Sequence, residues 1–263
     1  MSAGQRYFPL SDDLGLARLE DGHFIYVDPL DEAVAHHLIA RGYWEQWISE
    51  ALLRLIRVGD RVVEVGANFG FHTLGMANKV GPEGYVVAFE ANPRLAPLVL
   101  KTLTFNGYQE RAQVVSAAAA DVPGELTMIT SRRNAGGGAL SKQADAMGPE
   151  GQLITVDAVR LDDVIEGTVD LIRIDAEGAE PLILKGAHRL LSRHDVVVVL
   201  EWDVVQMGHR TSVPAFVADL QKAGFRFWKI DHSSAFVEVD PPELESLRGF
   251  DLVLSRLPLE DRS

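Results

Sequence analysis

Cysteine is absent from this chain. That excludes disulfides, thiolate metal sites and cysteine nucleophiles together. Long apolar runs are also missing. The stretch Val196–Leu200 is a buried strand, far short of the roughly 18 residues that a membrane span needs. Positive charge is scarce: 25 Lys and Arg stand against 38 Asp and Glu, a net −13. Such a balance argues against a broad phosphate-backbone footprint, so nucleic acid is not an expected partner. The first residues show no basic segment followed by an apolar one, so no signal peptide is read there. A cytoplasmic location is the expectation.

What is present is ordinary for a soluble domain, with 47% hydrophobic and 24% charged residues. The 263 residues can bury one large core with a small extension. Residues 1–57 read as strands and helices that pack on the core, and 58–263 as the main domain. In the extension, Leu16–Leu19 and His23–Val27 suggest strands. Residues 31–56 carry apolar positions at helical spacing, broken near Gly42. Trp44, Trp47 and Ile48 are expected at the core edge, with Tyr43 or Trp44 as an alternative cleft wall. His36 and His37 are adjacent and do not share a helix face, which disfavours a metal pair.

After Asp60 strands and helices alternate. Val62–Val65, Val86–Phe89, Ala112–Ser116, Val169–Ile174 and Val196–Leu200 read as strands. Phe71–Val80, Pro93–Phe105 and Gly178–Leu191 read as helices between them, with Asn92 capping the second. This rhythm predicts an α/β fold: a Rossmann-like, mostly parallel seven-stranded sheet with helices on both faces and an antiparallel C-terminal strand. Glu125–Thr130 and Leu153–Val156 flank a polar, Gly-rich stretch, residues 131–151, read as a flexible acceptor loop.

In open α/β sheets ligands sit outside the carboxyl ends of the strands. Those ends here are Glu64 to Gly70, Glu90 to Asn92, Ala117 to Asp121, Asp175 to Glu177, and Glu201 to Asp203. The set forms a dense acidic rim. In the first turn, Gly66 permits a tight bend and Gly70 a close helix approach. Asn68 occupies the position that a dinucleotide site keeps bare for pyrophosphate, which disfavours NAD. Its amide suits a carboxylate at the start of a helix, and Glu64 an ammonium. Glu90 can accept both ribose hydroxyls. An amino acid joined to a nucleoside without phosphate describes S-adenosylmethionine.

The blocks VVEVGANFGFHTLGMA at 62–77, GPEGYVVAFEANP at 81–93, Asn106-Gly107 and VDLIRIDAEGAEPLILKGA at 169–187 resemble the FkbM family of S-adenosylmethionine-dependent methyltransferases. The family more often shows Val at 176 and Pro at 91, where this chain has Ala. The resemblance implies that Gly66, Asn68 and Gly70 line the methionine end with Thr73 nearby. It further implies that Glu90 holds the ribose, that Ala91 and Asn92 border the adenine, and that Ala119 and Asp121 reach its edge.

Methyl transfer is an in-line displacement on carbon, so positioning dominates, and a hydroxyl acceptor also gains from a base. Asp175, ending the fourth strand, is the first candidate, with Glu201 and His72 as rivals. Asp175, Glu201 and Asp203 could hold Mg²⁺, but the spacing does not require it, and no metal site is assigned. The expected activity is O-methylation of a sugar, glycan or natural-product acceptor. Within the 131–151 loop, Arg132, Arg133 and Lys142 could meet an anionic acceptor. Nucleic-acid or protein methylation, a nicotinamide oxidoreductase and a non-catalytic cofactor-binding module are the alternatives. Oligomeric state is open, a homodimer being one possibility.

Overall fold

The computed structural model of the protein describes residues 5–135 and 151–259. A meander of β1 (Tyr7–Ser11), β2 (Leu14–Arg18) and β3 (Phe24–Val27) opens the described chain. Helices α1 (Val34–Arg41) and α2 (Gln46–Leu55) follow. Between them Gly42 adopts φ 79°, and its N–H donates to the Leu38 carbonyl, ending α1. In α2, Ile48, Ala51, Leu52 and Leu55 are buried, a stripe with the i, i+3, i+4, i+7 spacing of a helix lying on a core.

The alternating region supplies β4 (Arg61–Val65), α3 (Phe71–Lys79), β5 (Tyr85–Phe89), α4 (Ala96–Phe105) and β6 (Ala112–Val115). A side sheet is built from β7 (Ala118–Ala119), β8 (Gly124–Ser131) and β9 (Gly151–Val159). The chain continues through α5 (Leu161–Val164), β10 (Leu171–Ile174), α6 (Glu180–Lys185), α7 (His188–Leu191) and β11 (Val197–Trp202). It ends with α8 (Val204–Gly208), α9 (Val213–Lys222), β12 (Arg226–Ile230), β13 (Phe236–Glu238), α10 (Pro241–Leu244) and β14 (Phe250–Ser255).

The main sheet has the order β13-β12-β14-β11-β10-β4-β5-β6. The run from β6 to β11 is parallel, and β14 enters antiparallel between β11 and β12. The expected seven strands are therefore joined by an eighth, β13, hairpinned onto β12 at the edge. Strands buried on both faces read as near-continuous apolar runs, which is why β4, β10 and β11 stand out in the sequence. Val63, Val65, Ile172, Ile174, Val198 and Leu200 share a core with Ile183 and Phe216 of α6 and α9. Val62, Val86, Leu171, Val197 and Val199 share another with Leu52, Met76 and Val99 of α2, α3 and α4. Side chains alternate along a strand. Glu64, Arg173, Glu201 and Asp251 consequently fall on the α2–α3–α4 face.

The meander and α1 do not form a separate layer. Ile25, Val27 and Leu38 pack with Phe69 of the glycine turn, Leu74 of α3 and Leu95.

Several expected boundaries shift. The strand β1 carries no apolar alternation, because three of its five residues are exposed, and it escapes a pattern reading. The helix expected from Pro93 begins at Ala96. Asn92 instead closes a local turn, its Oδ1 accepting from Arg94 N–H at 3.0 Å, and its carbonyl accepts from Leu95 and Ala96. The helix expected over Gly178–Leu191 is two, α6 and α7, broken at Gly186-Ala187. At Gly186 a Cβ would lie 2.1 Å from the Ala120 carbonyl oxygen, so the helix meets the backbone beside β7 without a side chain between.

Candidate active site

At the end of β4 the chain turns through Gly66, with φ 85°. A Cβ there would lie 1.9 Å from the Asp175 carbonyl oxygen, so only glycine lets the ends of β4 and β10 approach this closely. Asn68 follows with φ 55°, an uncommon conformation for a side-chain-bearing residue. Its N–H donates to Glu90 Oε2 at 2.7 Å, and the N–H of Asn92 donates to Glu90 Oε1 at 2.7 Å. Each carboxylate oxygen offers two acceptor sites, so Glu90 keeps capacity for two further donors. Gly70 caps α3, and a Cβ there would come within 2.9 Å of Val99 Cγ1. Its bareness serves the approach of α3 to α4 rather than to the sheet.

Parallel register places Glu64 beside Arg173. Arg173 Nη1 donates to Glu64 Oε1 at 3.3 Å, and Nη2 donates to Asp175 Oδ2 at 3.0 Å. Glu64 is fully buried, and its Oε2 accepts a short hydrogen bond from the Thr73 hydroxyl. Burial pushes the Glu64 carboxyl up to about 7, with Arg173 opposing that rise. For Arg173 burial disfavours the charge, but Asp175, Glu64, Asp251 and Glu45 outweigh it and raise its pKa.

Two cavities open at these strand ends. One is lined by Gly66, Glu90, Ala91, Ala117–Ala119, Met128, Ala135, Asp175 and Glu177, among others. The second is lined by Trp44, Asn68, Phe69, Phe71, His72 and Arg173, among others. Gly66, Glu90 and Asp175 border both. Three side chains of the second cavity carry buried polar atoms without a hydrogen-bond partner: Asn68 Oδ1, both ring nitrogens of His72, and Arg173 Nε. Burial and the Arg173 charge push the His72 pKa down. Glu45, 3.8 Å from His72 Nε2, is held below its ordinary pKa despite burial by His72 and Arg173.

The cavities thus gather Gly66, Asn68, His72, Glu90, Ala91, Ala119 and Asp175 from the expected set. Glu64 and Thr73 lie one layer beneath, bonded to each other, and Glu64 also accepts from Arg173; neither lines these two cavities, whereas the sequence sets Glu64 against a ligand ammonium. Neither Gly70 nor Asp121 lines either of these two cavities. Asn92 is buried beside the first cavity, and its Nδ2 donates to Thr130 Oγ1 at 3.1 Å and the Ala135 carbonyl at 3.3 Å. Glu201 follows Leu200, the register partner of Ile174, and stands opposite Asp251 in the β11–β14 pairing. Burial, then Asp175, Glu177 and Glu180, push the Glu201 carboxyl well above the usual carboxylate range. Burial likewise lifts Glu90, Glu180 and Asp251 to about 7. Glu180 accepts from the Ala176 N–H at 2.9 Å, closing the turn before α6.

Arg173, Asp251 and Glu45 were not singled out from the sequence. Their signal was one charged residue inside an apolar strand for the first two, Leu-Ile-Arg-Ile and Phe-Asp-Leu-Val, and nothing local for Glu45.

The arginines expected to meet an acceptor are engaged elsewhere. Arg132 Nε lies 3.3 Å from Asp28 Oδ2, and Arg133 Nη1 lies 2.8 Å from Glu32 Oε1. Lys142 and most of the expected 131–151 loop lie outside the described residues. Asp203 caps α8, its Oδ1 accepting from Val205 and Gln206 N–H at 2.8 and 3.1 Å. Among the described residues no three His, Asp or Glu side chains converge as a metal site.

Residues 64–227 match the family model described as Methyltransferase FkbM domain. A protein-L-isoaspartate O-methyltransferase from Ignicoccus hospitalis is 38% identical over 68 residues, 26% of this chain and 32% of that one. The match therefore spans about a third of that relative's length. A candidate rRNA methylase from Clostridium thermocellum shares the fold, with TM-score 0.51 and 11% identity over 81% of this chain and 95% of that one. The FkbM methyltransferase of Methylobacillus flagellatus KT superposes with TM-score 0.48 and 17% identity, covering 74% of this chain and 43% of that one.

Proposed function

The chain belongs to the FkbM methyltransferase family, and we propose that it transfers a methyl group from S-adenosylmethionine to a hydroxyl of a sugar, glycan or other natural-product acceptor. The observation that carries this reading is the position of Asp175. It borders both cavities, its side chain is 36% exposed, and Arg173 fixes its carboxylate at 3.0 Å.

The residues suit the cofactor. Glu90, steadied by two backbone N–H groups, has acceptor capacity left for the two ribose hydroxyls. Ala91, Ala118 and Ala119 provide small apolar walls for an adenine in the first cavity. Asn68, His72 and Arg173 hold polar atoms without partners beside the glycine turn, where the amino-acid end would lie. A buried unpaired polar group is costly unless a ligand completes it.

When bound, the cofactor supplies an electrophilic methyl group. Asp175 orients the acceptor hydroxyl along the line of transfer, where positioning gives most of the rate. The proton leaving the hydroxyl passes to the Asp175 carboxylate, or to the imidazole of His72, which burial and the Arg173 charge keep neutral and able to accept.

A thermal-shift comparison tests the cofactor, because ligands of the native state raise its apparent stability. Melting should rise with S-adenosylmethionine and not with NAD, and the absence of a shift with the former would sink this reading. A methyl-donor screen over hydroxylated small molecules and glycans identifies the acceptor. An isoaspartyl peptide belongs in that screen because the Ignicoccus relative is named for it, and its methylation would redirect the acceptor class. With an acceptor in hand, Asp175→Asn should retain cofactor binding and lose ~10²-fold in turnover. Unchanged turnover would remove Asp175 from the mechanism.

A further inference from the structure

The turn before α1 reaches the cleft from outside the residues 64–227 that carry the family match. Asp31 in this turn is wholly buried. Its Oδ1 accepts from the Ala35 N–H at 2.9 Å, an ordinary contact for an acid at a helix start. Its Oδ2 accepts from the N–H of Ala135 at 2.8 Å, 104 positions along the chain. The neighbouring acids make the same journey. The Glu32 N–H donates to the Arg133 carbonyl at 2.8 Å, and the Glu32 side chain pairs with that arginine. Asp28, 5% exposed, receives Arg94 Nη2 at 2.6 Å and Arg132 Nε at 3.3 Å.

What these acids hold is a wall of the first cavity. Ala135 lines it. The Ala135 carbonyl accepts from Asn92 Nδ2 at 3.3 Å, and the Asn92 N–H donates to Glu90 Oε1 at 2.7 Å. Direct hydrogen bonds therefore run from Asp31 through Ala135 and Asn92 to Glu90. A buried carboxylate is expensive to place unless its oxygens are satisfied. Asp31 meets that condition only while Ala35 and Ala135 stay where they are.

We propose that Asp31 is a positioning residue for the cofactor: it holds Ala135 against Asn92, closing the adenosine side of the cleft and fixing the Glu90 carboxylate toward the ribose. The identity of the ligand rests on the methyltransferase reading; the clasp itself does not. The N-terminal turn is then part of the binding site, although it touches no reacting atom.

The test uses the full chain, with calorimetric titration of S-adenosylhomocysteine and 5′-methylthioadenosine. It is paired with amide hydrogen exchange at residues 130–135 in ligand-free protein. Asp31→Asn keeps one acceptor and loses the other. It should weaken both ligands by about tenfold, the scale of a hydrogen bond to a charged group. Equal losses are expected because both ligands carry the adenosine, and exchange of the Ala135 amide should rise. A purely structural role for Asp31 would lower the melting temperature and leave the affinity of the folded protein unchanged. Affinity within twofold of wild type would therefore overturn the proposal. If Asp31→Asn does not fold, the double variant Arg132→Gln/Arg133→Gln loosens the same strand end from exposed positions. It should weaken binding about threefold, and no change would equally overturn the proposal. If the wild-type chain binds neither ligand, the methyltransferase reading fails. Exchange at Ala135 then decides the clasp alone, unchanged protection in Asp31→Asn refuting it.

Discussion

Arg173 shows how much of this site is decided by single side chains. It is 2% exposed, in the middle of an apolar strand, and divides its guanidinium between a fully buried Glu64 and a half-buried Asp175. Removing one partner of a buried pair leaves the other charge stranded, so Arg173→Leu should cost about 3 kcal/mol at pH 8. The loss should shrink near pH 5, where Glu64 takes up a proton, and denaturant titrations at the two pH values would show it. Equal losses would mean that Glu64 is not the group left stranded. At Gly66 the constraint is steric. Gly66→Ala combines a positive φ with a Cβ 1.9 Å from the Asp175 carbonyl oxygen. It should lose about 2 kcal/mol or more of stability, read from the unfolding midpoint, together with ligand binding. Gly66 and Glu90 were legible because residue type and distance from a strand end suffice to suggest a turn and a ribose acceptor. Arg173 was not, because its meaning depends on Glu64, 109 positions away, through strand register. Asp31 was not, because an acid at a helix start has a sufficient local explanation.

At the level of elements, the strands of the parallel region were legible from their apolar runs, since burial on both faces leaves little else. The helices α1 and α2 were legible from apolar spacing and Gly42. What escaped were elements whose form depends on distant contacts. The exposed edge strand β1 has no apolar face to advertise. The break between α6 and α7 arises where Gly186 abuts the Ala120 carbonyl at what would be 2.1 Å from a Cβ. Gly186→Ala should therefore press the helix away from β7, the segment that supplies Ala118 and Ala119 to the first cavity. The expected cost is about 1–3 kcal/mol, the usual range for overpacking, accompanied by weaker S-adenosylhomocysteine binding in calorimetry. Unaltered affinity would show that the wall at β7 does not depend on that contact.

Across the whole molecule, the acidic rim makes stability and binding run in opposite directions with pH. Glu64, Glu90, Glu180 and Asp251 are lifted from the ordinary carboxylate range to about 7. The folded state therefore holds protons that the unfolded chain has released. Their contribution to stability should be complete below about pH 4 and be lost as pH rises through about 7. A cationic ligand prefers the ionised carboxylates, so the thermal shift given by S-adenosylmethionine should be larger at pH 8 than at pH 6. Melting curves of free and ligand-saturated protein across that range test both slopes. A ligand shift independent of pH would show that the rim does not read the cation's charge.

The interior place of β14 bears on how the chain is made. Strand β11 gains its second neighbour, and β12 its link to the rest of the sheet, only through Phe250–Ser255. During synthesis the strand that carries Glu201 thus waits with one edge unpaired while the ribosome adds some fifty further residues from Trp202 onward. Nascent chains halted before Phe250 would expose two strand edges that the finished protein keeps covered, and those edges are templates for pairing with other chains.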